Sequence, residues 1–176
     1  MLIAELSAVT VHRTSVSEMD NRCYVITSRD TGAQVLVDAA ADAPALQALL
    51  AEAAVGEPDL RAIVTTHRHL DHWYALADVR AGLGVPAAAG VNDAEGIDAP
   101  TDRTLSDGEV LTVGDLTFDV IELVGHTPGS IALLWRGGDD GDQLFGDDGD
   151  AMNATAGRIA AIRGSSSRRS SRSTRK

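Results

Sequence analysis

The sequence is poor in most of the groups from which binding surfaces are built. Aromatic residues make up 3% of its 176 positions, as two Trp, two Tyr and two Phe. The one cysteine, Cys23, rules out an internal disulfide, and its strand-like setting Cys23-Tyr24-Val25-Ile26 suggests a buried, inert thiol. Charges or glycines break every apolar run after a few residues, which excludes a membrane-spanning helix. The N-terminal Met1-Leu2-Ile3-Ala4-Glu5 lacks a basic stretch followed by an apolar core, so no secretory signal is expected and a cytoplasmic protein is inferred. Positive charge is scarce over most of the chain. Residues 158–176 hold seven of the 15 basic side chains and no acidic one, leaving eight basic against 26 acidic in the first 157. An acidic body with so few aromatic rings offers neither the charge nor the stacking surface that nucleic acid needs. The expected partner is a small molecule, with no nucleic acid and no membrane.

What is present is enough apolar sequence, 44% hydrophobic residues, for one domain with a proper core. Its most informative stretch is Thr66-His67-Arg68-His69-Leu70-Asp71-His72. Imidazole and carboxylate are ligands of zinc and similar divalent ions, and a catalytic site needs several of them converging on one point. The preceding Ala62-Ile63-Val64-Thr65 is short, apolar and β-branched, as in a buried strand. On an extended exit from that strand, His67 and His69 point to the same side. Asp71 and His72 are adjacent and diverge unless the chain turns. With a turn, one pair could serve one metal and the second pair another.

The surrounding pattern predicts sheets with helices packed outside. A strand is expected over Leu2 to His12, and a hairpin joins Cys23–Ser28 to Gln34–Asp38. A helix opens at Asp42-Ala43-Pro44, with Asp42 as cap and Leu46, Leu49 and Leu50 at helical spacing. After the strand at 61–65, a second helix is expected over Trp73 to Ala81. Strands follow at Val85–Ala89, in two alternating segments between Glu109 and Val124, and at Ile131–Trp135. Gly125-His126-Thr127-Pro128-Gly129-Ser130 then puts a histidine in a tight turn at a strand end, where a third metal ligand from elsewhere in the fold would be needed. A carboxylate that bridges two metals is sought after Leu144-Phe145-Gly146, in Asp147 or Asp148. Asp38, ending Val35-Leu36-Val37, suits a group that orients a ligand. His12 stands outside any motif. Residues 1–150 are assigned to the folded domain and 151–176 to a disordered Ala/Ser/Arg-rich tail.

These motifs, in this order and spacing, resemble those of the metallo-β-lactamase-fold hydrolases, with the glyoxalase-II-like branch as the nearest flavour. The resemblance rests on residues 66–72, 125–130, Leu36-Val37-Asp38 and Leu144-Phe145-Gly146-Asp147. It implies an α/β (α+β) architecture, an αββα sandwich with metals at the edge where the sheets meet. It also implies that His67, His69 and His126 hold a first metal, that Asp71 and His72 contribute to a second, and that Asp147 bridges them. The family usually places one more residue before its Gly-Asp pair, which keeps Asp148 in play.

The expected cofactor is zinc, one or two ions per chain, although iron and manganese take the same ligand types. The expected reaction is attack of a metal-activated hydroxide on an acyl carbon, as in a thioester such as hydroxyacyl-glutathione or a lactone, with Asp71 as catalytic base. Two alternatives accompany it: a mononuclear iron sulfur dioxygenase of the same fold, and an inactive metal-binding remnant. Members of this family carry another metal-binding histidine near the C-terminus, whereas none of the five histidines here lies after His126. The sequence therefore suggests a chain truncated or frameshifted after Phe145. Its second sheet would be incomplete, and its exposed sheet edges would favour oligomers.

Overall fold

In the computed structural model the described residues are 1–123 and 125–146. They form eleven strands and two α-helices. β1 (Leu2–Glu5), β2 (Val9–Val16), β3 (Asn21–Ser28) and β4 (Ala33–Val37) lead to α1 (Ala43–Glu52) and β5 (Asp59–Thr65). α2 (Leu76–Arg80), β6 (Ala87–Gly90), β7 (Arg103–Leu105), β8 (Val110–Val113), β9 (Leu116–Glu122), β10 (Ile131–Trp135) and β11 (Gln143–Phe145) complete the order. The first sheet runs β1-β2-β3-β4-β5-β6-β7, antiparallel up to β4 and parallel from β4 to β7. The second runs β11-β10-β9-β8 and is antiparallel throughout.

Alternation along the central strands explains why two cores form. Val25, Leu36, Ile63 and Ala87 face α1 and α2, where they pack with Leu46, Leu50, Leu76 and Val79. Their sequence neighbours Ile26, Val37, Val64 and Ala88 face the other way, against Phe118, Val120, Ile131 and Leu133 of the second sheet. A strand buried on both faces reads as a near-continuous apolar run, and Ala33–Val37 is buried at every position with Gln34 as its one polar residue. The far face of the second sheet carries a smaller buried cluster of Ile121, Leu123, Ala132 and Leu134. Three of the four expected layers, helix, sheet and sheet, are thus accounted for by the described residues.

Two expectations need correction. Residues 2–12 form no single strand. The chain reverses at Leu6, whose N–H donates to Val9 O at 2.9 Å, and β1 folds back onto β2. The second helix is shorter than 73–81, because Ala75 N donates to Ala39 O at 2.9 Å and so ties the residues before Leu76 to the loop after β4. Strand β7 was not anticipated. Asp147, Asp148 and the tail 151–176 lie outside the described residues. Among those described, no helix is long and apolar enough to cross a membrane. Cys23 is fully buried, and burial pushes its thiol up to about 12.

The two sheets meet around Phe118, which is fully buried and lies edge-on to Phe145 with centroids 6.5 Å apart. Phe118→Ala should lower unfolding free energy by about 3–5 kcal/mol, through lost burial and the cavity left behind. Urea denaturation followed by circular dichroism checks this. A loss under about 1 kcal/mol would mean that the intersheet core is not packed as described.

Candidate metal centre

Parallel strands β4, β5 and β6 end at one edge of the first sheet, where ligand-bearing loops gather in open α/β sheets. Strand β4 ends by delivering Asp38, whose backbone is left-handed at φ 61°. Aspartate tolerates that region better than most residues. The Asp38 carboxylate, 2% exposed, accepts from Thr66 N at 2.7 Å, Thr66 Oγ1 at 2.8 Å and His72 Nδ1 at 2.8 Å. These contacts fix the exit of β5 and return His72 toward it.

The same contacts determine which imidazole nitrogens carry lone pairs. The single hydroxyl hydrogen of Thr66 is committed to Asp38, so the 3.1 Å contact between Thr66 Oγ1 and His67 Nδ1 requires the imidazole to donate. His67 Nε2 is then an unprotonated acceptor. It is buried and has no hydrogen-bond partner. His72 likewise donates from Nδ1 to Asp38, leaving a lone pair on Nε2.

A short 3-10 turn, Leu70–His72, supplies the bend that brings Asp71 and His72 onto one side. Asp71 Oδ2 lies 3.8 Å from His72 Nε2 and accepts from Asn21 Nδ2 at 2.9 Å. Burial raises the Asp71 pKa, but the Asn21 hydrogen bond and the nearby His72 ring outweigh it, and the carboxyl ends below its ordinary value.

The connection between β9 and β10 reaches the same place from the second sheet. Ile131 N donates to Thr66 O at 2.8 Å, which brings His126 over the β5 exit. His69 Nδ1 and His126 Nε2 are 3.0 Å apart. One nitrogen from each of His67, His69 and His126 lies within 4.8 Å of the others. The four rings form a tight group, with the His67 centroid 4.0 Å from His72, 4.9 Å from His69 and 4.7 Å from His126.

This donor set fits a divalent ion. A buried imidazole nitrogen without a partner costs free energy unless something accepts its lone pair, and three imidazoles with an open position are a catalytic zinc set. Beside the rings, Met19, Ala40, Ala41, Leu70 and Tyr74 line a groove of about 340 Å³ that includes Asp71.

Of the residues singled out in sequence, His67, His69 and His126 come together, and Asp71 and His72 form an adjoining pair. Three supporting residues were missed. Asn21 touches both Asp71 and His72, Thr66 links Asp38 to His67, and Asp93 lies buried between the two histidine loops. Asn21 follows an ordinary turn and gives no sequence signal. Thr66 opens the histidine motif, and a threonine at a strand end carries no signal of its own in sequence.

A two-sheet sandwich with imidazoles gathered at its parallel strand ends defines a class of metal-dependent proteins. The chain belongs to the metallo-beta-lactamase superfamily, whose family model matches residues 18–172. It is 33% identical over 118 residues to a hydroxyacylglutathione hydrolase of Fuscovulum blasticum, covering 67% of this chain and 44% of that protein. It is 30% identical to the hydroxyacylglutathione hydrolase of Rhodospirillum rubrum over 143 residues, or 80% of this chain and 54% of the relative. The chain thus spans about half the length of these curated relatives. Among solved structures, the BLEG-1 B3 metallo-beta-lactamase superposes with TM-score 0.63 at 25% identity, over 71% of this chain and 66% of that one. A Cronobacter sakazakii metallo-beta-lactamase with a HARLDQ motif superposes with TM-score 0.67 at 21% identity, over 84% and 62%. The family implies a divalent metal.

Burial, with the neighbouring His72 adding to it, lowers the His67 pKa from 6.5 to about 4. The unfolded chain therefore binds a proton that the folded chain refuses between these values, and stability falls as pH drops from about 6.5 to about 4. In metal-free protein this group should remove about 3 kcal/mol across that window. Urea midpoints measured from pH 7 to pH 4 test it, and His67→Gln should flatten the slope. Equal slopes in both proteins would exclude His67 as the source.

Proposed function

We propose that this chain is the metal-holding part of an acyl hydrolase, with a thioester such as a hydroxyacyl-glutathione, or a lactone, as substrate. The observation that carries the reading is the convergence of His67, His69 and His126 around the unpartnered Nε2 of His67. Those three residues would hold the first ion. His72 and Asp71 would serve a second, with Asp147 as the sequence candidate for the bridge. When bound, zinc would supply a Lewis acid that polarises an acyl carbonyl and lowers the pKa of water toward about 7.

The chain's own groups do the rest. Asp38 holds the His72 ring through Nδ1, and Thr66 does the same for His67. Asp71, kept ionised and oriented by Asn21, is available at its carboxylate to take a proton from the attacking water. The apolar groove beside Asp71 suits the acyl portion of a substrate. Three imidazoles brought together among the described residues are a set that suits catalytic zinc. The relatives named hydroxyacylglutathione hydrolase support the thioester class.

Elemental analysis of the purified chain, paired with thioester hydrolysis before and after chelation, tests this reading. At least one zinc per chain is expected, with hydrolysis lost on chelation and restored by zinc. His126→Ala should remove one of three first-site ligands and weaken zinc binding by a factor of at least 100. A folded chain that binds no divalent metal would refute the hydrolase assignment.

A further inference from the structure

Asp93 is a fully buried carboxylate that belongs to none of the motifs above. It follows β6 in the turn Gly90-Val91-Asn92-Asp93, next to the exit of β5. Its Oδ2 accepts from Arg68 N at 3.1 Å and from Thr127 Oγ1, and its Oδ1 accepts from Gly129 N at 3.0 Å. Arg68 stands between His67 and His69, and Thr127 directly follows His126. One carboxylate is therefore bonded to residues adjacent in sequence to all three imidazoles, and it bridges two loops that come from different sheets.

The fit around this turn leaves little freedom. A Cβ on Gly90 would lie 2.0 Å from Gly129 O, and a Cβ on Gly129 would lie 2.5 Å from Asp93 N. Backbone thus meets backbone where the His126 loop rests on the 90–93 turn. The Arg68 guanidinium adds a looser contact, its Nε 3.9 Å from Asp93 Oδ1. Hydrogen bonds to an ionised acceptor are shorter and stronger than neutral ones, and here each ends on a loop that carries a ligand.

We propose that Asp93 is a positioning residue of the metal centre, which sets the spacing between the His67–His69 loop and the His126 loop and thereby the affinity of the three-histidine site. This rests on the reading that those histidines hold a metal. A neutral amide cannot replace the carboxylate. Asparagine has one acceptor oxygen, so in either orientation its NH2 group faces the N–H of Arg68 or of Gly129. One loop is then released while the side-chain volume is kept.

The test is zinc affinity, measured by competition with a chromophoric chelator, for the wild type, Asp93→Asn and Thr127→Val, together with urea unfolding of each metal-free protein. Asp93→Asn should lose about 10–100-fold in affinity, the range for groups that orient metal ligands. Thr127→Val, which removes one of the three donors, should shift affinity the same way by a smaller factor. Cobalt(II) substitution should give a visible spectrum in Asp93→Asn that differs from the wild type, because the ligand spacing has changed. Tight zinc binding by the wild type with unchanged affinity and spectrum in Asp93→Asn would overturn the proposal alone, whatever happens to the urea midpoint. A wild type that binds no zinc would overturn both this proposal and the metal-site reading beneath it. If Asp93→Asn fails to fold, Thr127→Val decides, and unchanged affinity there refutes the role.

Discussion

The arrangement at the centre depends on the Asp38 carboxylate and the donors it satisfies. A left-handed aspartate backbone costs on the order of 1–2 kcal/mol. Three hydrogen bonds to a buried charge, from Thr66 N, Thr66 Oγ1 and His72 Nδ1, more than offset that cost. Their consequence is chemical as well as structural. Because the carboxylate can only accept, both the Thr66 hydroxyl and His72 Nδ1 must donate to it. The first commitment makes His67 donate from Nδ1, and the second does the same for His72. A single anion thus turns two imidazole Nε2 lone pairs away from itself, and no metal is needed to select those tautomers.

Sheet topology explains why distant residues reach one place. Strands β4, β5 and β6 run parallel, so Asp38, His67 and the 90–93 turn leave the sheet at the same edge. His126 comes from an antiparallel sheet that the first sheet meets through the core around Phe118 and through contacts along its edges. The bond from Ile131 N to Thr66 O is one such contact, and the Asp93 carboxylate supplies others. A site divided between two sheets can be no better ordered than the packing between them. This joins the intersheet core to the chemistry at its rim.

Much of this was legible in sequence, for identifiable reasons. The run Ala62–Thr65 reads as a strand because a strand buried on both faces has no polar alternation to obscure it, and the histidine motif inherits its direction. The Asp42–Pro44 helix start is equally local: Asp42 accepts from Ala45 N at 3.1 Å. The failures lie where tertiary contacts override local pattern. Residues 73–75 have helical composition, yet a bond to Ala39 O and the Trp73 indole donating to Arg68 O at 2.9 Å hold them in turns. Strand β7 is only three residues, Arg103–Leu105, with one buried side chain, and it exists because β6 offers an edge. Asp93 was invisible for a related reason. Nothing in Gly90-Val91-Asn92-Asp93 distinguishes a buried clamp from an exposed turn until its partners at 68, 127 and 129 are known.

Four imidazole rings pack with centroids 4.0 to 4.9 Å from their neighbours, and His67 is the one fully buried among them. Burial, with the neighbouring His72 adding to it, holds the His67 imidazole below its ordinary pKa and makes a proton a poor occupant there. His67 instead presents a buried Nε2 lone pair that has no hydrogen-bond partner, near two carboxylates, Asp38 and Asp71. Charge and hydrogen-bonding capacity are then balanced by a cation with a fixed number of acceptor positions. A proton supplies the charge at one nitrogen, whereas a divalent ion takes several lone pairs at once. The burial that denies His67 a proton, which would be a liability in an ordinary core, is what makes metal the better occupant.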